Sequence, residues 1–374
     1  MNIAIFGADK ISQAIFKLID KGYNLWLNSI NEEPLNVVAY TWFDGNVIDD
    51  KAVLTLDQFV AFYHKKLIHK IILPREIYNG QSQIMSYLEA FGVKIDDIYI
   101  IQNLNDEIIF PNFIERYLSA KYLPYLEFHV ADHCNLNCKA CEHYSGLVKE
   151  PHFPNLEKFT QDFERLHEFI DDIGIIRILG GEPLLNPELN EYVKLSRRLY
   201  PQAIIWIVTN GLLLQKMPEN FFETLRQCNA GVIISFYPPL ESKMPAIKKM
   251  LEEQRVKFFV YELNKTFTMK QTLNRHNHPR EIFLQCLQAH CHNLYEGKIA
   301  ACFLPFTTKY FNAYYGKNLP EDGALDLYDP TLTTEKLKYH LLQPFERCRY
   351  CTPPVNVEWT TIKNPSPITD WVHD

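Results

Sequence analysis

Apolar residues near the amino terminus come in short runs separated by stretches with helical spacing. The runs IAIF (3–6), NVVAYTWF (36–43), KIILP (70–74) and IYIIQ (98–102) predict strands. Between them, 11–22, 55–66 and 81–92 repeat apolar side chains three and four positions apart and predict helices. Asp57 falls in the first turn of the second helix, and Gly92 closes the third. Strands alternating with helices imply βαβ units and a parallel sheet.

The alternation restarts at residue 121. Strands are expected at 125–130, 174–179, 203–208, 231–237 and 256–263, with helices at 155–173, 187–200, 217–228 and 244–254. Such βα repeats are consistent with an open or partial parallel barrel. From about residue 280 the helical periods shorten, and prolines, tyrosines and cysteines accumulate. The expected organisation is α/β throughout. It comprises a Rossmann-like parallel sheet over 1–105, a connecting helix over 106–120, a partial barrel over 121–280 and a small cysteine-rich extension over 281–374.

The net charge of −7, with no long run of like charge, is not the basic footprint that non-specific nucleic-acid binding needs. A small anionic ligand stays open. No window approaches the ~18 uncharged apolar residues of a membrane span. The start MNIAIFGADK lacks a basic, then apolar, leader, so a cytoplasmic protein is expected. In that compartment, cysteines at short spacing point to metal or redox chemistry before disulfides.

The nine cysteines are unevenly placed: none before 134, then Cys134, Cys138 and Cys141, a lone Cys228, and Cys286, Cys291, Cys302, Cys348 and Cys351. Two cysteine sites are expected. The trio, spaced C-x3-C-x2-C, follows an apolar strand and so sits at its carboxyl end, where parallel α/β folds bind ligands. Three thiolates can hold three corners of a cubic [4Fe–4S] cluster and leave one iron open. The competing reading is a zinc knuckle completed by His133 or His143. One strand later comes GGEP, Gly180, Gly181, Glu182 and Pro183. Paired glycines allow close backbone approach, and Glu182 adds a charge at the same edge.

The trio followed by GGEP resembles the radical SAM superfamily over residues 121–265. The resemblance implies a partial (β/α)6 barrel. It also implies a catalytic [4Fe–4S] cluster on Cys134, Cys138 and Cys141, whose open iron chelates S-adenosylmethionine (S-adenosyl-L-methionine). GGEP would border the methionine amino group. Thr209 and Asn210 in TNG, and Ser235, would lie against the rest of the cofactor. Reductive cleavage would then yield a 5′-deoxyadenosyl radical that abstracts hydrogen, with the barrel excluding water. One departure is Ala140, where the family often has an aromatic residue before the third cysteine.

Cys286, Gly297 and Cys302 form C-x10-G-x4-C, and Cys348 and Cys351 form C-x2-C. This resembles the twitch form of the SPASM extension, which implies a second, auxiliary [4Fe–4S] cluster. Five cysteines compete for four positions. Spacing favours Cys286, Cys302, Cys348 and Cys351, leaving Cys291 as a spare or as a substitute for Cys286. Zinc is the alternative here too.

Other features add less. Cys228 reads as a small buried hydrophobe. His276, His278, His290 and His292 carry no motif. Gly7 opens a strand–glycine–helix start, but G-x-G-x-x-G is missing. Asp44 lies 37 residues on, against ~20 for NAD binding. The expected function is hydrogen abstraction from a carbohydrate or nucleotide-sugar substrate, with a two-electron oxidation through the auxiliary cluster as one outcome. Peptide maturation and a zinc-stabilised scaffold are the rivals. Expected partners are a small-molecule or peptide substrate and an electron donor such as flavodoxin or ferredoxin.

Overall fold

Alternating strands and helices build two compact units, Met1–Tyr122 and Leu123–Asp374. The computed structural model describes residues 1–6, 36–41, 47–48, 51–74, 88, 90–94, 97–101, 121–275, 277–341, 343–363 and 365–373. Gly7, Asp44, the helix expected at 11–22, most of that at 81–92 and the connecting helix lie outside the described residues.

The first unit holds strands β1 (Asn2–Phe6), β2 (Asn36–Thr41), β3 (Val47–Ile48), β4 (Lys51–Leu54), β5 (Lys70–Pro74) and β6 (Ile98–Ile101), with helix α1 (Leu56–His64) between β4 and β5. They form one sheet in the order β3-β4-β2-β1-β5-β6. All its pairs are parallel except β3 with β4. Thr55 and Gln58 form a reciprocal capping box at the start of α1, which satisfies backbone donors that the first turn leaves unpaired. Phe59 and Val60 are the buried residues of α1.

The second unit starts within β7 (Tyr122–Ala131) and continues through α2 (Leu156–Phe169), β8 (Asp172–Gly180), α3 (Leu189–Leu199), β9 (Ile204–Thr209), α4 (Glu219–Gln227), β10 (Gly231–Ile234), α5 (Met244–Glu253) and β11 (Lys257–Val260). Then follow β12 (Thr266–Gln271), α6 (Pro279–Gln285), β13 (Asn293–Tyr295), β14 (Lys298–Ala300), α7 (Leu304–Tyr315), β15 (Ala324–Asp326), α8 (Thr334–Leu341) and β16 (Cys351–Glu358).

Eight of these strands form one sheet, β11-β10-β9-β8-β7-β13-β14-β15, and β12 pairs with β16 in a two-stranded antiparallel ribbon. The pairs from β8 to β11 are parallel, as is β7 with β13. β14 and β15 continue antiparallel. The sheet therefore runs through the boundary expected at 280. β13 pairs with β7 and so covers backbone groups that an edge strand would leave open.

Alternation along the strands sets the core. Leu126, Phe128 and Val130 of β7 and Ile176 and Ile178 of β8 are buried with Phe159, Phe163 and Leu166 of α2. Each such side chain contributes about 2 kcal/mol of apolar burial. Asn155 caps α2 by accepting from the Lys158 amide. The helix ends at Phe169 rather than at the expected 173, because β8 takes up the chain from Asp172. β10 likewise stops at Ile234, before the expected 237, and the Ser235 amide turns to donate to the Thr209 carbonyl at 2.8 Å.

Candidate cofactor and cluster sites

The trio lies on the loop that leaves β7. The end of β8 crosses this backbone closely: Gly181 N–H donates to the Ala131 carbonyl at 2.7 Å, and Glu182 N–H to that of His133 at 3.1 Å. A Cβ on Gly180 would stand 2.0 Å from the Ala131 oxygen, and one on Gly181 would stand 2.2 Å from the His133 oxygen. Gly180 also has φ +145°. The two glycines are thus required by the crossing itself.

A distant segment holds the other side of the loop. Cys138 bridges Thr361 in antiparallel fashion. The Lys139 amide donates to the Thr360 carbonyl at 2.9 Å, and the Ala140 amide to that of Asp370 at 2.8 Å. Asn137 and Ile362 exchange two more bonds, at 3.0 and 2.8 Å. Ala140 has φ 57°, so the position where an aromatic residue was expected is a left-handed turn.

All three thiols are free, and each lies within electrostatic reach of another. Burial raises all three, with Cys138 pushed up to about 12. A bound metal centre reverses that preference and draws out the thiolates. Leu136 N–H donates to Cys134 Sγ at 3.3 Å. Tyr237, stacked on Trp359 with ring centroids 5.7 Å apart, feels all three thiols. Among the described residues, no group of three His, Cys, Asp or Glu side chains is arranged to hold a single metal ion. A cubic cluster does not ask for that, because each thiolate binds a different iron. The two histidines nearest the trio have their Nδ1 atoms in contact with other groups. His133 Nδ1 accepts from the His152 amide at 3.1 Å, while His143 contacts His129 Nε2 at 2.9 Å and stacks on Phe303. The donor set fits an iron–sulfur cluster.

Glu182 joins the ends of β8 and β9. It is fully buried, and its carboxylate accepts from the Leu184 amide at 3.0 Å, the Thr209 hydroxyl at 2.7 Å and the Asn210 amide at 2.9 Å. Burial raises its pKa to about 7 against the pull of those donors. Its carboxylate is thus engaged by groups of the protein itself. Pro183 begins the short turn Pro183–Leu185. Asn210 Nδ2 donates to Asn135 Oδ1 at 2.7 Å and lies 3.7 Å from Cys134 Sγ. Of the residues expected from sequence, Gly181, Glu182 and Asn210 are hydrogen-bonded to the end of β7 or the trio's loop, Thr209 is joined through Glu182, and Gly180 packs against Ala131. Ser235 joins through its amide.

The second cysteine set converges as well. Cys286, Cys302, Cys348 and Cys351 line one pocket, with Lys270 and Gln288 on its wall. Burial raises Cys302 and Cys351, and pushes Cys348 up to about 12. Cys291 does not line this pocket; its neighbours are Tyr125 and Arg177. Four thiols and no other ligand type suit a cubic cluster. Cys228 is buried in the main core, as a small hydrophobe would be. Sequence reading missed Tyr144, Lys270, Gln271, Arg347 and Trp359. Only Arg347 had a local signal, its place in ERCRYC.

Residues 129–259 match the radical SAM superfamily model. The matched stretch, which carries the trio and the glycine pair, is similar to radical SAM superfamily enzymes. GTP 3′,8-cyclase of Nautilia profundicola is 34% identical over 124 residues, 33% of this chain and 38% of that protein. GTP 3′,8-cyclase of Desulforamulus reducens is 39% identical over 101 residues, 26% of this chain and 30% of that protein. A 7,8-dihydro-6-hydroxymethylpterin dimethyltransferase of Methanocaldococcus jannaschii is 29% identical over 117 residues, 30% of this chain and 22% of that protein. The matched stretch thus spans at most 38% of these relatives. The crystal structure of BtrN in complex with AdoMet and 2-DOIA is similar, with 17% identity and a TM-score of 0.40, over 62% of this chain and 93% of that one. No described helix is long and apolar enough to cross a membrane.

Proposed function

We propose that this chain is a two-cluster radical SAM enzyme acting on a small polar molecule of the carbohydrate or nucleotide class. The observation that carries the reading is the set of three free thiols on the β7 loop, crossed at 2.7 Å by a glycine pair that admits no side chain. Cys134, Cys138 and Cys141 would hold the catalytic cluster, and Cys286, Cys302, Cys348 and Cys351 the auxiliary one. When bound, these groups and S-adenosylmethionine supply a one-electron bond cleavage, a hydrogen-abstracting radical and an electron acceptor.

The chain's own part is placement. Gly180 and Gly181 let the backbone border the cofactor's methionine end. Glu182, through Thr209 and Asn210, holds β8 and β9 in register behind it. Tyr237 and Trp359 offer an aromatic pair beside the thiols. The names of relatives matched over the same segment, a GTP cyclase and a pterin methyltransferase, support a small-molecule substrate over a peptide. In the first unit, the order β4-β2-β1-β5-β6 turns about β1, which supports a Rossmann-like reading of that unit. An external donor such as flavodoxin or ferredoxin would supply the electron.

The test is anaerobic purification and reconstitution with iron and sulfide. The reading expects about eight irons per chain, falling by about four in the Cys134/Cys138/Cys141→Ala variant, from four irons per cubic cluster. It also expects 5′-deoxyadenosine on reduction with S-adenosylmethionine. A colourless protein with stoichiometric zinc would refute it.

A further inference from the structure

Arg347 is fully buried, and among the described residues its side chain hydrogen-bonds to neutral groups. Its Nε donates to Thr308 Oγ1 at 3.2 Å, and its Nη2 to Gln271 Oε1 at 2.6 Å and to the Tyr144 hydroxyl at 3.2 Å. Among the described residues its buried Nη1 has no hydrogen-bond partner. The nearby acids are engaged elsewhere. Glu346 pairs with Arg275 and Arg349, and the Asp322 carboxylate accepts the backbone amides of Glu346 and Arg347 at 2.7 and 3.1 Å. A buried guanidinium without an anion is costly, so a fold that keeps one implies that an anion arrives.

The direction of that anion is on the page. Gln271, which holds the guanidinium, also donates through Nε2 to Cys351 Sγ at 3.5 Å. Arg347 and Lys270 are the cations that act on the Cys351 thiol. Lys270 lines the four-cysteine pocket and pairs with Glu142 at 3.2 Å. Four neutral thiols offer no anion to Arg347, and Lys270 has only Glu142. A cubic cluster on four thiolates is a net anion, and its charge grows by one on reduction.

We propose that Arg347, together with Lys270, is the built-in counter-charge of the four-cysteine site and sets how readily a cluster there accepts an electron. This rests on the reading that the site holds an iron–sulfur cluster. A fixed cation in a low-dielectric interior stabilises the more negative, reduced state more than the oxidised one. Removing it makes reduction harder. Arg347 is a positioning residue, held by Gln271 and Tyr144, and its effect reaches the site through charge.

The test isolates the second site in the Cys134/Cys138/Cys141→Ala chain and titrates it electrochemically with EPR detection. Arg347→Met and Lys270→Gln should each lower the reduced-to-oxidised ratio at fixed potential about tenfold, equivalent to about 59 mV for one electron. Arg347→Lys, which keeps the charge, should titrate with the parent. Iron-loaded Arg347→Met and Lys270→Gln proteins that titrate with the parent would overturn the proposal. If Arg347→Met does not fold, Lys270→Gln at the pocket wall decides by the same two outcomes. A parent that takes up zinc and no iron would instead sink the cluster reading, and the proposal with it.

Discussion

Gly181→Ala puts a methyl carbon where the β8 end crosses the β7 loop. The new Cβ would lie 2.2 Å from the His133 carbonyl oxygen and 2.8 Å from that of Asp132, both backbone atoms. An ordinary carbon–oxygen contact needs at least about 3.2 Å, so one backbone must retreat by roughly 1 Å. That retreat stretches the two bonds beside it, Gly181 N–H to Ala131 and Glu182 N–H to His133. Losing both costs about 1 kcal/mol each, and the overpacking itself about 1–3 kcal/mol. The sum, about 3–5 kcal/mol, corresponds to a fall in melting temperature of roughly 10 °C for a unit of this size. The assay is thermal unfolding under argon, with Gly316→Ala as control. Gly316 has φ +61° and nothing within 4 Å of a new Cβ, so it carries only the left-handed backbone penalty of about 1 kcal/mol. If Gly181→Ala melts no lower than Gly316→Ala, the crossing is not the constraint argued here.

Three further outcomes are expected. Thr209→Val removes a buried donor to Glu182 and the acceptor of the Gly211 amide, at 2.7 and 2.9 Å, and should cost about 2 kcal/mol in urea unfolding. Thr209→Ser should keep most of that, and equal losses from the two would contradict the hydrogen-bond account. Trp371→Ala, at a fully enclosed ring that packs on Tyr144, should cost about 3–5 kcal/mol and loosen the clamp on Cys138. Iron retention at the trio should then fall, and full retention would contradict the clamp. Lys338 is buried, and its folded pKa is lowered to about 7 while the unfolded value stays near 10.5. The folded state thus binds fewer protons between those values, so stability rises with pH across that window and the penalty is complete below it. Wild type should gain about 2 kcal/mol over Lys338→Met between pH 7 and 9, from about 1.4 kcal/mol per pH unit. Parallel urea midpoints for the two proteins would refute it.

Local features carried through where they depend on neighbours in the chain. The strand runs, the glycine pair and the C-x3-C-x2-C spacing are set by periodicities of two to four residues, and these are visible in any window. The helix expected to reach 173 overran because Asp171 to Ile173 satisfy helical spacing as well as they satisfy β8. β8 begins at Asp172, and its pairing with β9 follows from Ile175 to Ile178.

What the sequence determined by itself was the alternation of strands and helices and the clustering of thiols after β7 and near the carboxyl end. The tertiary structure decided which thiols meet: Cys286 enters the four-cysteine pocket, while Cys291 turns to Tyr125 and Arg177. It decided that Asn137 is held by Ile362, 225 positions away, and that Glu182 is a buried clamp rather than an exposed charge. It also left Arg347 without an anion. The reason is common to all of these. Side-chain partners across the core are chosen by packing and by the cost of an unpaired buried group, and neither has any period along the chain.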